Sequence, residues 1–388
     1  MSPAANSKIP MRALLAGARR KQATLIAFTR HLVRAESPSD DKAAVDACLA
    51  LAAARGKQLG ARVKIHHQAS FGNAIELRFG PRNSTAKPIL LLGHLDTVWP
   101  LGTLQTMPCR LSAGRLWGPG TLDMKAGVAM AFTAIEMLTE ADLLRREIVL
   151  LLNGDEEIGS TVSRPITEKL AKNSSAVYVL EPAQGLAYKT ARKGIGNWRI
   201  DVNGIAAHAG VDFEKGANAI RELARVIETV SGWTNLNRGL TVSVGVAGGG
   251  TKSNVIPAHA WAEVEARIVR RADGPRIERR FAALKSLQLT NSRCSLTVTG
   301  GINRPPMERR SGTVRLFRKA QALAHELGFT LNEASTGGGS DGNFTAALGI
   351  PTLDGMGAVG DGAHARHESV LVEHLAPRTA LLAAMLAS

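Results

Sequence analysis

Short apolar runs alternate with longer segments of helical spacing through the first half of the chain. Ile75, Leu77 and Phe79 alternate with Glu76 and Arg78, the two-residue period of a half-buried strand. Pro88–Gly93 is apolar throughout, as expected of a central parallel strand covered on both faces. Glu147–Asn153 and Ala176–Leu180 predict two more buried strands. Ser37–Asp40 predicts a helix start and Gly60 its stop, and Lys125–Leu138 has helical character. Strands alternating with helices predict an α/β layered domain with a central mixed sheet.

From Arg192 the rhythm changes. Strand patterns fall at Ile195–Val202, Leu240–Val246, Trp261–Val269 and Ser295–Thr299, with helices at Ala217–Val230 and Arg276–Leu287. That order, β-α-β-β-α-β, predicts a small split βαβ sandwich. After Arg304 the α/β pattern returns, with helices at Thr313–Leu327, Gly342–Leu348 and Glu373–Leu386 and a strand at Phe329–Glu333. The simplest organisation is one discontinuous domain, residues 1–191 and 304–388, interrupted by a second at 192–303.

Composition narrows the class. With 388 residues, 45% hydrophobic and 21% charged, the chain reads as an ordinary globular protein. No apolar run approaches the ~18 residues that cross a bilayer, and the N-terminus lacks the apolar stretch of a signal peptide. Cys48, Cys109 and Cys294 are odd in number and far apart, which predicts a reducing cytoplasm rather than a disulfide framework. Lys and Arg exceed Asp and Glu by 48 to 33, a net charge of +15 that raises the question of nucleic acid. The bases are scattered in pairs such as Arg270-Arg271 and Arg279-Arg280, and aromatics are only 4%, too few for a base-stacking platform. Neither a nucleic-acid nor a membrane partner is expected.

The chemistry-bearing residues share a position: they follow buried strands or sit in glycine-rich loops, where open α/β sheets bind ligands. His94 and Asp96 follow the strand at 88–93, on the same side of an extended chain. Asp123 lies in Gly118-Pro-Gly-Thr-Leu-Asp-Met-Lys-Ala-Gly127; alone it reads equally well as a helix cap. Glu156 and Glu157 end the strand at 147–153, and adjacent side chains in extended backbone point apart, so one can bind metal while the other handles a proton. Glu181 ends the strand at 176–180, and His364 and His367 share a glycine-rich loop. Each signal alone is weak. Together they offer imidazole and carboxylate without thiolate, which suits zinc, manganese or cobalt. Five ligands exceed the three protein ligands of a mononuclear catalytic zinc, so two metals sharing a carboxylate fit the count better.

These motifs, in this order along nearly the whole chain, resemble the co-catalytic zinc family of aminoacylases, acetylornithine deacetylase and succinyl-diaminopimelate desuccinylase, and most of all its glutamate (folate) carboxypeptidase branch. The resemblance implies that Asp123 bridges two metal ions, His94 and Glu181 complete one site, and Glu157 and His364 the other. It implies that Asp96 orients His94 and that Glu156 is the general base. The second domain resembles the family's dimerisation lid, and His208 in Gly204-Ile-Ala-Ala-His-Ala-Gly210 the lid histidine that stabilises the oxyanion in a neighbouring subunit. Asn254 and Arg267 match lid positions near substrate. Arg304, Thr336, Gly337 and Gly338 resemble the parts that grip a terminal carboxylate, for which arginine is the natural bidentate partner. The implied activity is hydrolysis of an N-acyl amino acid, a dipeptide or a glutamate-type amide with a free carboxylate, by a homodimer carrying two divalent ions, zinc first. A deacylase of the acetylornithine or succinyl-diaminopimelate type is the nearest alternative.

Two other classes compete. Gly338-Gly-Ser340-Asp-Gly342 matches the GxSxG nucleophile pattern, followed by Asp354 or Asp361 and then His364. A serine hydrolase, however, leaves Asp123, Glu156, Glu157 and Glu181 without a task. A non-enzymatic polyanion binder leaves the same acids unexplained.

Overall fold

The computed structural model describes residues 10–82 and 84–388. They form two compact units: the chain up to Ala191 with Arg309–Thr336 and Ser340–Ser388, and a second of Arg192–Glu308 with Gly337–Gly339.

The first unit is built on a six-stranded mixed sheet. In sheet order the strands are Arg62–His66, Ala74–Phe79, Ile148–Asn153, Ile89–His94, Ala176–Val179 and Thr352–Leu353. The last four run parallel and the first two pair antiparallel. Both faces are covered, which is why the central strands carry no polar alternation. On one face Leu91, Leu150, Ile89 and Ile148 join a core with the helices Met11–Arg34, Ala126–Glu140 and Leu375–Ala387. On the other, Leu90, Leu92, Val149 and Leu151 pack under Leu170 and Ala171 of the helix Arg164–Lys172. Each such leucine contributes about 2 kcal/mol by leaving water.

Register decides where the loops open. Ile89 pairs with Ile148 and His94 with Asn153, while Leu92 pairs with Val179. The three strands therefore end level, and the segments after them emerge side by side. Gly127 brings a fourth segment to this edge: a Cβ there would collide with the Leu180 carbonyl oxygen. Only glycine lets the helix Ala126–Glu140 lie that close to the strand leading to Glu181.

Two boundaries and one strand's burial differ from the sequence pattern. The helix expected from 37–40 begins at Lys42, because Asp41 caps it, accepting the Ala44 N–H. Glu76 is buried and joined to His66 and Arg78, so Ala74–Phe79 is covered on both faces rather than one. The strand expected at 329–333 runs instead over Glu333–Thr336, since the Phe329 N–H still closes the preceding helix on Ala324.

The second unit is a four-stranded antiparallel sheet in the order Thr241–Gly249, His259–Ile268, Gly194–Asn203, Ser295–Arg304. The helices Ala219–Ser231 and Gly274–Leu284 complete the β-α-β-β-α-β sequence. Trp198, Ile200 and Val202 alternate inward, and the Trp198 ring stacks on Phe281 with centroids 3.9 Å apart. Among the described residues, no helix is long and apolar enough to cross a membrane.

Candidate metal centre

Seven sequence-predicted residues of the first unit converge at the level ends of the parallel strands. The Asp123 carboxylate is central. Its Oδ1 lies 3.3 Å from His94 Nε2 and its Oδ2 3.4 Å from His364 Nε2. His94 Nε2 is also 3.6 Å from Glu181 Oε1, and His364 Nε2 is 3.2 Å from Glu157 Oε2. His364, not His367, thus faces the acids, with its backbone in the left-handed region at φ 62°. Glu156 joins the group through His94 and Glu181, one ligand atom of each lying within 4.8 Å of the others.

Hydrogen bonding shows what the centre lacks. The Asp96 backbone carbonyl lies 3.0 Å from His94 Nδ1. A carbonyl only accepts, so Nδ1 carries a proton, and when the ring is neutral its lone pair is on Nε2, which faces Asp123 and Glu181. His94 Nε2 and Asp123 Oδ1 are both buried without a hydrogen-bond partner. Orphaned polar atoms of this kind are costly unless a cation lies among them. Two atoms coordinating one tetrahedral ion at about 2.0–2.2 Å stand about 3.3–3.6 Å apart, the spacing of both Asp123–histidine contacts and of the His94–Glu181 contact, with His364–Glu157 slightly shorter at 3.2 Å. Nitrogen and oxygen donors, one carboxylate facing two imidazoles and two orphaned atoms fit a pair of divalent ions.

Without metal, protons take the cation's place. Burial opposes a charge on His94, but Asp123, Asp96 and Glu181 outweigh it and raise its pKa well above the usual value. Asp123 and Glu157 push His364 up to about 10. Burial works against an ionised Asp123, yet His364 and His94 hold its pKa below the normal range. A metal ligand must be a neutral imidazole, so metal and protons compete. Zinc uptake at pH 7 is expected to release about two protons, with affinity rising as pH approaches 10. Calorimetry in buffers of different ionisation heat reads the proton count; a value near zero refutes the competition.

Three supporting residues set the loops. Asp96, expected only to orient His94, does more: its Oδ1 and Oδ2 accept the N–H groups of Glu156 and Glu157 at 3.1 Å, and Oδ2 also accepts the Ser39 hydroxyl. Glu368, whose spacing in the sequence only marks His364 and gives it no role of its own, is buried and accepts four hydrogen bonds. Its Oε2 takes the Gly120 N–H and the Trp99 indole N–H, and its Oε1 the N–H groups of Leu122 and Asp123. Asp155 accepts from the Val162 and Ser163 amides and closes the turn after Glu157. The nearest sequence signal for Glu368 was its place four residues after His364.

Ser340 is not set up as a nucleophile. It is fully buried; its hydroxyl donates to Asp354 Oδ2 at 2.6 Å and accepts the Gly342 N–H. Asp341 is tied to Asn153 and Ser160. The GxSxG match is a hydrogen-bonded turn, with no histidine base on the serine among the described residues.

The other predicted residues lie mainly in the second unit. His208 and Asn254 sit on neighbouring loops, joined by the Ala209 N–H donating to the Asn254 carbonyl. His208 Nδ1 accepts from the Gly210 and Val211 amides, both 3.1 Å. The proton of its neutral ring is therefore on Nε2, which leaves a donor facing outward. Arg267 Nη1 donates to the Gly337 carbonyl at 2.5 Å, and Arg192, not singled out by sequence, donates to those of Gly338 and Gly339. Arg304 is buried, its side chain against Gly339, where a Cβ would stand 2.9 Å from it. Thr336 ends the strand Glu333–Thr336, in the first unit.

Carboxypeptidase G2 of Pseudomonas sp. is 29% identical over 377 residues, covering 94% of this chain and 89% of its own. A succinyl-diaminopimelate desuccinylase of Stenotrophomonas maltophilia is 27% identical over 370 residues, covering 90% and 94%. The crystal structure of aminopeptidase PepT from Bacillus cereus superposes with a TM-score of 0.75 at 23% identity, over 94% of this chain and 98% of that one. The crystal structure of the YxeP protein of Bacillus subtilis, a dinuclear metal-binding peptidase from the M20 family, superposes with a TM-score of 0.69 at 14% identity, over 95% of this chain and 98% of that one. The model of peptidase family M20/M25/M40 matches residues 90–388, and the chain belongs to that family as a metal-dependent hydrolase of peptide or amide bonds.

Proposed function

We propose that this hydrolase cleaves the amide bond of N-acyl amino acids, dipeptides or glutamate-type conjugates that carry a free carboxylate. The observation that carries the reading is the Asp123 carboxylate, with one oxygen toward His94 and the other toward His364. In this reading Asp123, with His94 and Glu181 on one side and Glu157 and His364 on the other, would hold two divalent ions, zinc first and manganese or cobalt as alternatives. The bound ions supply Lewis acidity at the scissile carbonyl and make the attacking water more acidic.

Glu156 takes the proton of that water and hands it to the leaving amine. Asp96 keeps His94 in its tautomer and holds the backbone of Glu156 and Glu157 in place. His208 offers Nε2–H to the oxyanion, acting from the lid (residues 192–303) of a partner in a homodimer. Arg267 and Arg304, with Asn254, Thr336, Gly337 and Gly338, receive the substrate carboxylate. Similarity to carboxypeptidase G2 supports cleavage that releases a product with a free carboxylate. Similarity to the desuccinylase favours a second reading, removal of a short acyl group from a diamino acid. The three cysteines are free, which supports a cytoplasmic setting.

One panel decides between the readings: acyl- and aryl-glutamates, dipeptides, acetylornithine and succinyl-diaminopimelate, each assayed with zinc, manganese and cobalt. The expected order puts glutamate conjugates first in kcat/KM, with amides of the α-carboxylate disfavoured. Activity that survives chelation and metal removal overturns the reading, as does equal turnover of substrates whose carboxylate is blocked.

A further inference from the structure

The second unit has a cavity that the hydrolytic reading does not use. It holds about 120 Å³ and opens between the turn after the helix Ala219–Ser231 and the helix Gly274–Leu284. Trp233 and Ile277 give it an apolar side, and Arg238, Arg276 and Arg280 surround it, with Asp273 the single acid. Three guanidinium groups against one carboxylate leave two positive charges uncompensated.

These arginines differ from the scattered surface bases. Arg238 is held at both ends: its backbone N–H donates to the Asn235 side chain, and its Nη2 donates to buried Asp273 at 2.6 Å. Arg276 and Arg280 stand four residues apart on one helix stripe, where like charges repel. Neither has a carboxylate partner among the described residues. Arg280 lies over Trp233, 5.7 Å from the ring centroid. The nearby acids are engaged elsewhere, Glu278 on the Ile302 N–H and Glu308 on the Arg271 N–H. Planar guanidinium forks converging on one cavity match the oxygens of a tetrahedral dianion.

We infer that this cavity binds a small phosphate-bearing dianion, with Arg276 and Arg280 as its principal donors, Arg238 as a preset third, and Trp233 as a face for any ring the phosphate carries. The site is separate from the Asp123 cluster, which belongs to the other unit, and its test does not depend on the substrate reading.

The metal-loaded full-length protein is titrated calorimetrically with inorganic phosphate and with phenyl phosphate, alongside the double variant Arg276→Ser/Arg280→Ser and the single variant Arg276→Lys. Phosphate also competes for the metal centre, so the informative quantity is the class of site that the double variant loses. Losing charged hydrogen bonds should weaken that class by about tenfold to a few hundredfold, with Arg276→Lys between it and the wild type. Unchanged melting by circular dichroism shows that the substitutions at exposed Arg276 and half-buried Arg280 leave the fold intact. Tighter binding of phenyl phosphate identifies a ring-bearing ester seated on Trp233, and equal binding identifies the free anion. Coincident isotherms for wild type and double variant overturn the proposal, whether phosphate binds only at the metal centre or nowhere.

Discussion

Glu156→Gln is expected to abolish most turnover while leaving the metal content unchanged. Glutamine has the same shape and keeps the Glu156 backbone N–H on Asp96 Oδ1. What it lacks is a basic oxygen. Losing a positioned general base costs about 10²- to 10⁴-fold in kcat, with KM little altered because the substrate carboxylate is held elsewhere. The result matters because one ligand atom of Glu156 lies within 4.8 Å of His94 and Glu181, close enough for Glu156 to be a ligand instead. Metal analysis separates the roles: two ions per chain with little turnover assigns the base, and loss of one ion makes Glu156 a ligand. Mixing this variant with His208→Ala adds a test of the lid. If His208 works across a dimer, hybrids contain one intact site and activity returns; no recovery excludes the trans role.

How much of this was legible in the sequence follows from what each residue interacts with. Leu90, Leu91 and Leu92 announced a strand buried on both faces because apolar burial acts on side-chain type alone. The acids and histidines after such strands were conspicuous because an ionisable group at the end of an apolar run needs a counter-charge. The resemblance then supplied roles that spacing left open, as at Asp123, which alone read equally well as a helix cap. In the structure that helix begins at Ala126, and the Asp123 carboxylate faces His94 and His364. The loops behind the centre were not legible. Asp96 was assigned to His94 alone, while its carboxylate also holds Glu156 and Glu157 through their amides. Arg192 and Glu368 act on backbone groups as well, and backbone groups are identical at every position of a sequence. The strand at Glu333–Thr336 was misplaced for a related reason: the Phe329 N–H bond that finishes the preceding helix is a backbone event.

Glu368 gives that lesson its largest measurable consequence outside the reacting groups. Its carboxylate is buried, and burial raises its pKa, yet four N–H donors converge on its two oxygens. Three of them are amides of Gly120, Leu122 and Asp123, the loop that aims Asp123 between the two histidines. In Glu368→Gln one oxygen becomes an NH₂, so two of the four donors face another donor in a buried site. Each donor left unsatisfied costs about 1–3 kcal/mol, and the loop must shift to relieve it. Metal affinity is expected to fall about 10- to 100-fold, the usual effect of losing a partner that orients a ligand. Chelator competition reads that loss directly. Excess metal should restore much of kcat, since Glu368 touches neither the proposed base nor the substrate groups. Glu368→Asp should fail to rescue, because a side chain one methylene shorter cannot reach Trp99 and the loop together. A purely structural role predicts something else: a lower melting temperature with metal affinity unchanged in the folded fraction. Wild-type affinity in Glu368→Gln would remove Glu368 from the centre and leave Asp123 positioned by its own loop.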